Sequence, residues 1–187
     1  VNVDTCVSDA YSRSALSHRE EEFSRLLQEV QQGLLSIAGL NETEGGVALV
    51  ITGSGTAANE AILASTVFPD MSVIVPSNGE FGERLAEISS IYHKTIHLRQ
   101  EWGEDIDLAR LSNVLAEHPR AMVAMVHHET STGLLNPITD TGQLCKKYGA
   151  VFFVDAVSSF SADPLDMKES GITYLSTSSG KALACYP

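Results

Sequence analysis

The chain is 187 residues long, with 43% hydrophobic and 19% charged residues, the balance of a globular domain large enough to bury a core. A net charge of −12 with no basic cluster argues against nucleic acid and anionic membrane surfaces as partners, and no apolar run is long enough to span a bilayer. Cys6, Cys145 and Cys185 are far apart and form no C-x-x-C pair, so neither a disulfide framework nor a zinc site is expected and the chain reads as cytoplasmic.

The first residues, 1–16, are polar, carry no signal-peptide pattern and read as an extended segment. "LSHREEEFSRLLQEVQQGLLSIAGLN" follows as an amphipathic helix, with Phe23, Leu26, Leu27, Val30, Leu34 and Ile37 at helical spacing. Ser17 and Glu20 have the spacing of a capping box, and Gly39 is placed to stop the helix. "VALVI" at 47–51 is a short apolar run and is expected to be a buried strand. After "TGSGT" and a helix come "SVIVPS", a helix over about 80–91, "KTIHL", a helix over about 107–117 and "AMVAMVHH". "DTGQLCKKYG" then reads as a helix, "AVFFVD" as a strand and "ITYLSTS" as the last strand. Continuous apolar strands alternating with helices predict an α/β fold, a three-layer sandwich around a mostly parallel sheet, with residues 17–187 as one domain.

Ligands of such sheets bind beyond the carboxyl ends of the strands, so the residues just past each run matter most. "TGSGTAANE" offers glycines, the hydroxyls of Ser54 and Thr56 and a helix N-terminus, a cradle for a phosphate or simply a tight strand–helix turn. It matches neither the G-x-x-x-x-G-K-[ST] nor the G-x-G-x-x-G pattern. Phe81, in "NGEFGERL", is either a packing residue or a platform for a flat ring. In "HHETSTG", His127 and His128 are adjacent on a strand and face opposite ways, which argues against joint metal ligation; the hydroxyls of Thr130, Ser131 and Thr132 are better ligand contacts. Asp155 ends a buried apolar strand, where a carboxylate needs a partner: a helix cap, an arginine or a cation held in the pocket. Lys181, after "TSSG", is a surface residue or an amine at the same strand edge. Taken together, an anion cradle, a stacking ring, a carboxylate for a ring cation and an amine for a carbonyl describe pyridoxal 5′-phosphate.

The ordered set "GSGTAANE … NGEFGER … HHETSTGLLNPI … VDAVSSF … SSGK" resembles the class V aminotransferases, of fold type I, over nearly the whole chain. Within them it is most similar to the group that transfers an amino group from 2-aminoethylphosphonate to pyruvate. The resemblance implies that Ser54, Gly55 and Thr56 hold the phosphate and that Phe81 stacks on the ring. It implies that Thr130 lies near the ring hydroxyl, Asp155 pairs with the ring nitrogen, Val157 packs on the other ring face and Lys181 is the Schiff-base lysine. It also implies a small-molecule amino donor, a keto-acid acceptor and a homodimer. Gly180 departs from the Asn or Gln that relatives carry before the lysine, and the family's C-terminal small domain is not represented, so this is expected to be the large domain alone, with apolar surface left exposed. Transamination of the alanine–glyoxylate or serine–pyruvate type, another reaction of the same scaffold, a non-catalytic cofactor-binding fragment and a nucleotide-binding domain stand as alternatives.

Overall fold

The computed structural model describes residues 3–13, 15–41, 43 and 45–186. Helix α1 (Thr5–Tyr11) occupies the segment expected to be extended. Asp4 starts it: its carboxylate accepts from the Cys6 amide at 2.9 Å, satisfying one of the donors that a helix start leaves free. Val1, Asn2 and Ser14 of that segment lie outside the described residues. Helix α2 (Glu21–Ile37) forms as its spacing predicts, but the capping box does not. Glu20 is itself the cap residue, and Ser17 instead accepts from the Arg19 amide within its own turn. At the other end Gly39 takes a φ of +76°, the left-handed conformation that ends a helix at little cost in glycine.

Helix α3 (Gly55–Thr66) precedes strand β1 (Val73–Ser77), followed by α4 (Glu80–Tyr92), β2 (Thr95–Arg99), α5 (Leu108–Glu117) and β3 (Met122–Val126). A two-stranded hairpin of β4 (His128–Glu129) and β5 (Leu134–Leu135) leads into α6 (Ile138–Tyr148), β6 (Val151–Asp155) and β7 (Tyr174–Ser176). The main sheet runs in the order β2-β1-β3-β6-β7, with every pairing parallel.

The two faces of the sheet follow from side-chain alternation. Ile74, Val123, Met125, Phe152 and Val154 face Leu111 and Leu115 of α5 and Ile138 and Cys145 of α6. Val73, Val75, Met122, Ala124 and Phe153 face Leu63 of α3 and Leu85 of α4. Both faces are covered, which is why the strands read as unbroken apolar runs.

The segment 47–51 corrects the sequence reading. It forms no strand, and Val47 and Leu49 are 78% and 82% exposed. An apolar run becomes a strand only where a neighbour takes up its N–H and C=O groups. Here the Ala48 carbonyl is instead met by the Gln31 side chain of α2, at 2.6 Å.

Candidate active site

The strand order turns back between β1 and β3, since the chain leaves β1 for β2 and returns on β1's other side. That reversal opens a crevice at the carboxyl ends. A cavity of about 1130 Å³ extends along this edge, and Ser54, Gly55, Thr56, Phe81, Asp155, Val157 and Lys181 all line it. Residues more than 120 positions apart in sequence thus meet in one place. Thr130 is not among the lining residues, but its hydroxyl donates to that of Ser158, which is, at 2.7 Å.

Ser54 caps α3, its hydroxyl accepting from the Ala57 amide at 3.2 Å. The amides of Gly55 and Thr56 have no acceptor among the described residues, so the end of α3 presents free donors and the positive end of its dipole. Gly55 has to be glycine: a β-carbon there would sit 2.6 Å from Cγ2 of Val157. The missing side chain lets α3 press onto the turn that follows β6.

Phe81 stands in the first turn of α4, with the Arg84 guanidinium 5.2 Å from its ring centre. Its backbone is held from the hairpin. Glu129, fully buried, accepts from the amides of Phe81 at 3.3 Å and Gly82 at 2.9 Å. The Ser131 hydroxyl donates to Glu129 at 2.6 Å and accepts from the Glu80 amide at 3.0 Å. The start of α4 is therefore capped by side chains distant in sequence.

Asp155 is 6% exposed and forms no ion pair among the described residues. One carboxylate oxygen accepts from the Val157 amide at 2.9 Å and the other from the Asn59 side chain at 2.6 Å. Burial pushes its carboxyl above the ordinary value; the two hydrogen bonds pull it back and Glu129 adds to the rise. Such a carboxylate is poised to accept a cationic partner. Lys181 is exposed, in a turn closed by the Cys185 amide bonding to the Ser179 carbonyl at 3.0 Å. Thr177, also at the cavity wall, has a buried hydroxyl with no partner among the described residues.

These groups fit pyridoxal phosphate: free amides and hydroxyls for the anion, an aromatic face, an uncompensated carboxylate, an orphaned hydroxyl and an amine. The histidines are engaged elsewhere, His127 with the Ser159 hydroxyl at 2.9 Å and His128 with Asp163 at 3.0 Å. Sequence reasoning passed over Asn59, Glu129, Ser158 and Ser176. For Asn59 a signal existed: it lies one helical turn after Gly55, on the same face of α3.

The profile of the family described as Aminotransferase class-V matches residues 7–185. Over 165 residues the chain is 35% identical to a 2-aminoethylphosphonate–pyruvate transaminase of Salmonella agona, covering 87% of this chain and 44% of that one. It is likewise 35% identical to a bifunctional phosphonoacetaldehyde hydrolase/aminoethylphosphonate transaminase of Clostridioides difficile, covering 89% of this chain and 26% of that one. A solved alanine–glyoxylate aminotransferase from Nostoc sp. superposes with a TM-score of 0.90 at 32% identity, over 100% of this chain and 49% of that one. The chain belongs to the class-V aminotransferase family. Its fold is that of the fold type I transferases, and the cofactor that goes with the family is pyridoxal 5′-phosphate. The chain spans less than half the length of these curated relatives.

Proposed function

We propose that this chain is the cofactor-binding domain, residues 17–187, of an aminotransferase that moves an amino group from 2-aminoethylphosphonate, or a similar small primary amine, to pyruvate. The observation that carries the reading is the single cavity that gathers the α3 N-terminus, Phe81, Asp155, Val157 and Lys181. The 35% identity to transaminases named for that donor and acceptor supports the choice of substrates.

Bound pyridoxal phosphate supplies an aldehyde that condenses with amines and a ring that draws electrons from the neighbouring carbon. Ser54, Gly55 and Thr56 would hold its phosphate, and Phe81 and Val157 would line the place of its ring. Asp155 would hold a proton at the ring nitrogen. Lys181 would hold the cofactor aldehyde through its Nζ, and its free amine would be the base that takes up and gives back the proton moved in the transfer. Thr130, through Ser158, steadies the hairpin side of the pocket. The protein works as a homodimer: Leu26 and Val30 on α2 are apolar and 49% and 43% exposed, as a contact with a second copy requires. Three free thiols suit a reducing cytoplasm.

The test is an amino-transfer assay on the protein with pyridoxal phosphate, comparing 2-aminoethylphosphonate with alanine and serine as donors and pyruvate with glyoxylate as acceptors. The reading predicts the highest kcat/KM for 2-aminoethylphosphonate with pyruvate, and loss of turnover in Lys181→Ala. Faster transfer from alanine to glyoxylate would favour the activity for which the Nostoc structure is named.

A further inference from the structure

We propose that Asn59 is the positioning residue for Asp155, holding its carboxylate in place and, through the same helix, fixing its distance from the phosphate cradle. The proposal rests on the reading that the cavity takes pyridoxal phosphate.

Asn59 is 7% exposed, and both ends of its amide are used. Its Nδ2 donates to Asp155 Oδ2 at 2.6 Å, and its Oδ1 accepts from the Ser176 hydroxyl. The second bond orients the first: with the oxygen committed to Ser176, the amide can present only its NH2 group to the acid. Ser176 is well placed for this, since it pairs with Asp155 in the β6–β7 register and its carbonyl accepts from the Ala156 amide at 2.9 Å. Three elements, α3, β6 and β7, are therefore tied together at one carboxylate.

Asp155 needs this support because it is buried beside no cation. Only two N–H donors to its carboxylate are found among the described residues, one on each oxygen. Removing Asn59 would leave Oδ2 unsatisfied and the carboxylate free to turn. The field of the buried Glu129, the other charged group that acts on Asp155, would then oppose ionisation against the Val157 amide alone.

The position of Asn59 on α3 adds a second consequence. Gly55 packs on Val157 at the helix start, and Asn59 meets Asp155 one turn later. The cradle for the anion and the donor to the acid thus lie on one face of one helix, about 6 Å apart along its axis. A rigid helix sets that spacing, which would otherwise depend on two independent loops.

The test compares Asn59→Leu, similar in size but without polar atoms, and Ser176→Ala with the parent chain. In the cofactor-free protein, carboxyl-carbon NMR should show the Asp155 midpoint raised by about one unit in Asn59→Leu and by less in Ser176→Ala. With pyridoxal phosphate, Asn59→Leu should bind about tenfold more weakly, with an altered visible absorbance of the bound cofactor. A folded Asn59→Leu whose Asp155 midpoint and cofactor affinity match the parent would overturn the proposal. If Asn59→Leu does not fold, an unshifted Asp155 in Ser176→Ala would do the same. If the parent chain itself binds no cofactor, the cofactor reading fails, while the NMR midpoints still decide whether Asn59 governs Asp155.

Discussion

Glu129 accepts a hydrogen bond from the Gly82 amide at 2.9 Å, and by this contact a fully buried acid from the hairpin caps the helix that carries Phe81. The residues are 47 positions apart, and the Phe81 amide, the Ser131 amide and the Ser131 hydroxyl donate to the same carboxylate. Replacing Glu129 by Gln keeps the shape but turns an NH2 group toward amide donors, leaving at least one buried N–H unpaired. Glu129→Gln should lose about 2 kcal/mol of stability and loosen the start of α4. Urea denaturation reads the first effect and hydrogen exchange at Phe81 and Gly82 the second.

Gly55 is the point of closest approach between α3 and the turn after β6. A β-carbon there would lie 2.6 Å from Val157 Cγ2 and 3.0 Å from Cγ1. Val157 is β-branched and cannot swing clear without leaving its rotamer. Gly55→Ala should therefore destabilise the chain by about 1–3 kcal/mol and weaken pyridoxal phosphate binding. Gly55→Ala with Val157→Ala should recover most of the lost stability, as a double-mutant cycle would show.

His127 gives the fold a defined pH response. Burial, and secondarily its neighbour His128, hold the imidazole below its ordinary value of 6.5, with Asp163 opposing. The unfolded chain therefore binds the proton more readily than the folded one. The stability that neutral His127 supports is complete above about pH 6.5 and is lost as the pH falls through the lower folded value. Urea midpoints between pH 7.5 and 5.5 should fall on acidification, and fall less steeply in His127→Gln. An equal slope in the variant would remove His127 as the cause.

Cys145 lies on the buried face of α6, where burial raises its thiol to about 12. Cys6 and Cys185 are exposed. A thiol reagent at pH 8 should modify Cys6 and Cys185 in the native chain and reach Cys145 only after denaturant is added. Peptide mass mapping distinguishes the three.

That Phe81, Asp155 and Lys181 come to one cavity was legible in the sequence for one reason: each closely follows an apolar run that forms a strand, and parallel strands deliver their ends to one edge. Asn59 was not, because its partner Asp155 is 96 positions away and the one local mark it carries, a spacing of one helical turn from Gly55, does not name that partner. Glu129 was hidden in the same way, its donors supplied by a helix start that only the folded sheet brings near. The misreading of 47–51 has the opposite cause. Val47, Leu49, Val50 and Ile51 are as apolar as any buried strand, but strand formation is decided by a hydrogen-bonding neighbour that composition does not reveal. The Ser17–Glu20 pattern failed because α2 starts at Glu21, one residue past the box.

In the proposed function, Lys181 faces a pyridoxal phosphate site built from the ends of β1, β6 and β7. The most direct measurement is to mix the chain with pyridoxal phosphate, reduce with borohydride and map the labelled peptide by mass spectrometry. One pyridoxyl group is expected, on Lys181, with its loss when Asp155 is replaced by Ala. Label spread over Lys94, Lys146, Lys147 and Lys168, with none concentrated on Lys181, would contradict it.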